Sequence, residues 1–157
     1  MNRHEAERLS LELLETAEAA ILTTIDEEGF PQTRAMFNLR RKEQFPGLAD
    51  IFKNHHNDYL VYFTTNTSSP KVAFIRKDPK VSVYYSKASE FRGLMLSGEI
   101  EIVTDQSEKE AIWQPGWERY YPGGVLDPDH TVLRLAPMKA KYYHQLKLFH
   151  FDLNGER

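Results

Sequence analysis

A chain of 157 residues has the length of one domain, and without a single cysteine it can form neither disulfides nor thiolate metal sites. Its 20 Lys and Arg against 23 Asp and Glu give a net charge of -3, which leaves no broad basic field for nucleic acid or for an anionic membrane. The Glu-rich first twenty residues contain no uninterrupted apolar block, so neither a signal peptide nor a spanning helix is expected, and residues 1–157 read as one soluble, cytoplasmic domain.

Ala6, Leu9, Leu13 and Ala17 recur at three- and four-residue spacing, with Glu5, Glu12, Glu15 and Glu18 on other faces, and predict an amphipathic helix over residues 3–18. Residues 20–25, the turn DEEG and residues 30–40 predict a β-hairpin with Gly29 at positive φ. Along its second strand Thr33, Ala35, Phe37 and Leu39 share one side, and Gln32, Arg34, Asn38 and Arg40 the other. Met36 interrupts that polar row, either as the lining of a pocket or as an edge-packed methionine.

Residues 41–58 read as a connection with a helical hint near residues 48–52. His55 and His56 are adjacent, a spacing at which one metal seldom takes both, and no metal site is expected. Beyond them come a strand at 58–64, a short helix at 70–77 with Val72, Ile75 and Ala73 inward, and a strand at 80–86. One long strand over 91–103 turns Leu94, Leu96, Ile100 and Ile102 to one face. Ser107 and Glu110 stand at capping-box spacing before another short helix, and residues 131–153 supply two or three further strands. The order describes a mainly β fold, an antiparallel barrel of six to seven strands with an N-terminal helix and short connecting helices.

One stretch stands out: six consecutive small polar residues, Thr64 to Ser69, followed by Pro70 and Lys71. Pro is favoured at the first helical position, which makes Ser69 the cap, and a helix N-terminus presents free N–H donors to anions. Lys71 falls in the first turn, where a cation disfavours the helix itself. Either it is a solvated side chain on an ordinary capped helix, or with Arg34 it forms a phosphate grip, Thr64 and Thr65 serving the polar edge of the ligand.

The succession RAMFN, YFTTNTSSPK, DPKVSVYY, LMLSGEIEIV, AIWQPGWERYYPGG and LRLAPMKAKYYH resembles the FMN-binding split barrels related to pyridoxamine 5'-phosphate oxidase, in particular the small bacterial general stress proteins among them. The resemblance spans roughly residues 5–145 and implies a split barrel that binds FMN. It implies Arg34 and Lys71 on the phosphate, Ala35, Met36 and Phe37 along the flavin, Thr64 and Thr65 in contact with it, and Ser69 at the cap. It further implies a homodimer with FMN at the subunit interface, so that Trp113, Tyr142 and Tyr143 become candidates for the partner's side of each site. Three departures separate the chain from the oxidase proper: Pro70 replaces an Arg, Tyr143 replaces a Trp, and the C-terminal Arg-and-His segment that binds the oxidase's substrate has no counterpart.

An FMN-dependent oxidoreductase with a small substrate, of a stress-related kind, is the function expected from this reading. The other readings are a flavin-storing or flavin-sensing protein without turnover, and a split barrel for F420 or haem, the last needing His144 or His150 at the iron. No acid–base pair or nucleophilic triad appears, and His130, His144 and His150 read as structural or surface residues.

Overall fold

The computed structural model describes residues 1–53 and 57–156, so His55 and His56 lie outside the described residues. Helix α1 (Arg3–Thr16) starts where the Asn2 side chain accepts from the Glu5 N–H and buries Ala6, Ser10, Leu13 and Leu14. Strands β1 (Ala19–Ile25) and β2 (Pro31–Phe37) form the expected hairpin, with Gly29 at φ 86° in its turn. Strand β3 (Val61–Asn66), helix α2 (Pro70–Lys77), β4 (Lys80–Lys87), β5 (Arg92–Glu99), β6 (Glu101–Ile102), α3 (Gln106–Ile112), β7 (His130–Leu135), β8 (Lys139–His144) and β9 (Lys147–Asp152) follow.

All strand pairs are antiparallel, in a six-stranded sheet ordered β2-β1-β4-β5-β8-β9 and a three-stranded sheet ordered β3-β7-β6. Together they make a split β-barrel. One core joins α1 and the inner face of the large sheet to Phe63, Leu133 and Leu135; a second joins the other face of the small sheet to Leu48, Ile112 and Trp117. Strand β7 lies between the two cores, which is why all six of its residues are buried, the polar His130, Thr131 and Arg134 included. Its one charge, Arg134, is neutralised by Glu101 at 2.7 Å and by Glu108 of α3.

Four expectations change in detail. Nine strands replace six to seven, partly because the chain leaves the large sheet after Glu99, and β6 pairs instead with β7. Gly98 permits that exit: a Cβ there would stand 3.1 Å from Leu135 and 3.3 Å from the Met138 backbone. The cap of α3 is Asp105, whose carboxylate accepts from the Ser107 N–H at 3.0 Å; an anion suits a helix N-terminus better than the Ser107 hydroxyl. Thr33, Ala35 and Phe37 face solvent while Arg34 and Met36 are half-buried, so the apolar row of β2 is the outer one. Ala73 is exposed, leaving Val72 and Ile75 to anchor α2. Among the described residues no helix is long and apolar enough to cross a membrane.

Candidate functional site

The split of the barrel is also a cleft. Strand β2 is the edge of the large sheet and β3 the edge of the small one, so each has only one hydrogen-bonded neighbour. Between them opens a space of about 410 Å³, lined by Ala35, Met36 and Phe37 on one side and by Thr64, Thr65, Asn66 and Lys71 on the other. An unpaired strand edge offers backbone donors and acceptors to a ligand lying along it.

Each member of the polar run has a separate task. The Thr64 hydroxyl meets the Tyr121 hydroxyl at 3.1 Å, and Thr65 and Ser69 accept from Lys71 Nζ at 2.9 and 2.7 Å. Asn66 and the Ser68 N–H donate to the Asp129 carboxylate at 2.6 and 2.8 Å, and Thr67 donates to the Pro128 carbonyl and meets Thr131. These bonds hold the Asp129 carboxyl below its ordinary range, the Asn66 bond contributing most. Three of the six therefore tie the loop to residues 128–131, two orient Lys71, and Thr64 meets Tyr121. Ser69 caps α2 by backbone position, its hydroxyl being engaged by Lys71 instead of the helix N–H groups.

Arg34 reaches the same place from β2. Its guanidinium donates to Thr24 Oγ1 at 2.8 Å and, at 3.4 Å, to the Leu22 carbonyl. Neither Arg34 nor Lys71 has a carboxylate within ion-pair distance among the described residues. Burial first, and the Arg34 charge second, pull the Lys71 ammonium below its ordinary range. Two half-buried cations that repel one another at the start of a helix cost free energy until an anion joins them. Arg40, which shares the polar row of β2 in sequence, is employed otherwise: it donates to the Asp58 and Leu60 carbonyls at 2.9 and 2.7 Å and lies over Phe52.

Of the residues expected at the site, Ala35, Met36, Phe37, Thr64, Thr65 and Lys71 line the cleft, Ser69 adjoins it through its bond to Lys71, and Arg34 stands outside the lining but near enough for its charge to act on Lys71. Trp113 stands behind the wall, its ring 6.0 Å from Tyr121 and 5.1 Å from His130. Tyr143 faces solvent on β8, four strands from β2 and so roughly 19 Å away at about 4.8 Å per strand, out of reach of its own chain's cleft. Tyr142 is fully buried and bonded to Arg92 at 3.0 Å, which makes it a core residue.

Glu18, Ala19, Asn66, Tyr120 and Tyr121 also line the cleft, and the sequence had not singled them out as cofactor contacts. The paired tyrosines of WERYYPGG were the available signal. Tyr120 lies 6.1 Å from Phe37 and remains 46% exposed, an aromatic pair at the mouth suited to a planar ligand. No group of three or more metal-ligating side chains exists among the described residues, and no histidine lines the cleft.

Comparisons with known proteins agree with this fold. The family model described as pyridoxamine 5'-phosphate oxidase like matches residues 5–151. A Clostridium acetobutylicum protein related to general stress protein 26 of B. subtilis, of the pyridoxinephosphate oxidase family, is 33% identical, with 98% of this chain and 97% of that one covered at a TM-score of 0.75. General stress protein 26 of Bacillus anthracis str. Sterne shares the fold at 17% identity, a TM-score of 0.67 and coverage of 94% and 99%. A heme binding protein from Mycobacterium smegmatis shares it at 13% identity and a TM-score of 0.67, over 97% of this chain and 59% of that one. No curated protein matches the sequence. With all nine strands but the last residue of β9 inside the matched segment, the chain belongs to the pyridoxamine 5'-phosphate oxidase-like family.

Proposed function

We propose that the cleft binds FMN and that the protein is an FMN-dependent oxidoreductase acting on a small substrate, in a stress-related role. The observation that carries this reading is the pair Arg34 and Lys71, two cations without a carboxylate partner among the described residues, meeting the N-terminus of α2 at one end of a strand-edge cleft. A phosphate dianion there would relieve the repulsion between them and accept from both. The cleft volume lies within the roughly 300–1,000 Å³ usual for small-ligand sites.

Within this reading the edge of β2 receives the ring system, and Thr64 with Tyr121 bounds its polar side. Phe37 and Tyr120 shield it from water. FMN, when bound, supplies the hydride and electron chemistry of its N5 position, and the chain supplies position and electrostatics. A haem ligand is disfavoured by the lining itself, in which no histidine stands to meet the iron.

The test is reconstitution with FMN, followed by absorption and mass analysis of what heat releases, and then steady-state NAD(P)H oxidation compared with free FMN. Retained FMN and turnover above the free cofactor are expected. Retained FMN with no added turnover would favour a storage or sensing role instead.

A further inference from the structure

A second cleft, of about 550 Å³, adjoins the first. Its walls are the end of α1 and start of β1, Arg41, and the segment Ser86 to Ser89 after β4, and it shares Glu18 and Ala19 with the cleft along β2. Its charges are unevenly matched. Arg41 Nε is buried and has no hydrogen-bond partner, and the neighbouring Nη2 comes no closer than 3.6 Å to Glu43, whose side chain is 87% exposed. With Nε closed off from the cleft, an anion meets this guanidinium at its terminal nitrogens, for which the loosely held Glu43 is the one carboxylate within 4 Å among the described residues.

Lys87 leans on Glu90 at 3.0 Å, but the same carboxylate also serves Arg92 at 3.3 Å. The hydroxyls of Ser86 and Ser89 make no side-chain hydrogen bond among the described residues. The end of α1, whose carbonyls would otherwise repel an anion, is largely quenched. Asn38 donates to the Leu14 and Ala17 carbonyls at 2.8 and 2.9 Å, and the Lys42 N–H reaches the Glu15 carbonyl at 3.2 Å. Glu18, exposed on the ridge between the clefts, is the one carboxylate in the lining.

We infer that this second cleft is the subsite for the acidic group of a small organic acid, held by the terminal nitrogens of Arg41 and supported by Lys87, Ser86 and Ser89, with the rest of the molecule directed across the Glu18 and Ala19 ridge. Its meaning as a substrate site rests on the FMN reading of the neighbouring cleft; its anion binding does not. The probes are benzoate and its uncharged counterpart benzamide, titrated calorimetrically into the full chain before and after FMN loading. Arg41→Gln and Lys87→Gln are compared with Arg76→Gln on the exposed face of α2.

Benzoate should bind saturably and benzamide should not. Each cleft substitution should weaken benzoate about tenfold, the loss of a partly screened charge-assisted bond, while Arg76→Gln changes nothing and FMN affinity stays within about twofold. Absence of saturable benzoate binding, or binding indifferent to both substitutions, overturns the subsite. So does an FMN affinity that falls together with that for benzoate, since the two clefts would then be one site. Benzoate binding of the expected pattern in a chain that takes up no FMN would leave the subsite standing and sink the flavin reading.

Discussion

Arg34 and Arg40 show how far one strand's pattern can be read. Both stand on the same polar row, and alternation alone treats them alike; in the fold one stands near Lys71 without a carboxylate partner among the described residues and the other is bonded to two carbonyls with its guanidinium over Phe52. Only the resemblance separated them, because what distinguishes them is β3 and the 46–52 turn, both remote in sequence. Arg34→Ala should therefore weaken FMN by roughly ten- to a hundredfold, the value of a charge-assisted phosphate contact of about 1.5–3 kcal/mol. The stability of the ligand-free protein should change by no more than about 1 kcal/mol, since relief of the Lys71 repulsion offsets the lost bond to Thr24. Fluorescence titration and thermal melting of Arg34→Ala beside Arg76→Ala check both; equal FMN affinities in the two variants would remove Arg34 from the site.

Elements were most legible where periodicity was long. The N-terminal helix, the hairpin at Gly29 and the Pro70 start of α2 follow from local chemistry, whereas the departure of the chain at Gly98 depends on contacts with Leu135 and Met138 that no local pattern announces. The same holds for the wall formed by β7 and the 117–121 segment. His130 opens β7, 2% exposed, with its ring 4.7 Å from Tyr121 and neither ring nitrogen in a well-formed hydrogen bond, the Val125 backbone being its nearest partner. Burial first, and then the Lys109 charge, outweigh the Val125 backbone and the Asp127 charge and hold this imidazole below its ordinary value of 6.5. The unfolded chain thus binds a proton below about pH 6.5 that the native state refuses, and stability falls as pH drops through that value, by at most about 1.4 kcal/mol per pH unit. Replacing the imidazole in His130→Phe keeps an aromatic ring against Trp113 and Tyr121 and removes the titrating group. Melting curves between about pH 7 and pH 5 should be flatter for the variant than for the native chain; parallel curves would show that His130 titrates normally.

At the scale of the whole molecule, the outer face of the large sheet is more apolar than a solvated face needs. Phe37, Tyr84, Tyr143 and Leu148 remain 42, 45, 39 and 53% exposed on it. Register aligns Ala35, Ile21, Tyr84 and Met95 in one row across four strands. We propose that a second copy covers this face and brings Tyr143 of that copy to the cleft beside β2, the arrangement the resemblance implies. Sedimentation should then give a dimer, and flavin fluorescence, quenched by a neighbouring ring, should recover in Tyr143→Ala. A monomer that binds FMN tightly would refute the shared site.

All of this depends on the anion for which Arg34, Lys71 and the start of α2 are arranged, and the measurement that isolates it is a paired titration of FMN and riboflavin. The two differ only in the phosphate. The native chain should prefer FMN by roughly a hundredfold or more, two charge-assisted contacts of about 1.5–3 kcal/mol each, and in Lys71→Met the preference should shrink at least tenfold while riboflavin affinity holds. Equal affinity for the two flavins in the native chain would contradict the assignment of the cleft.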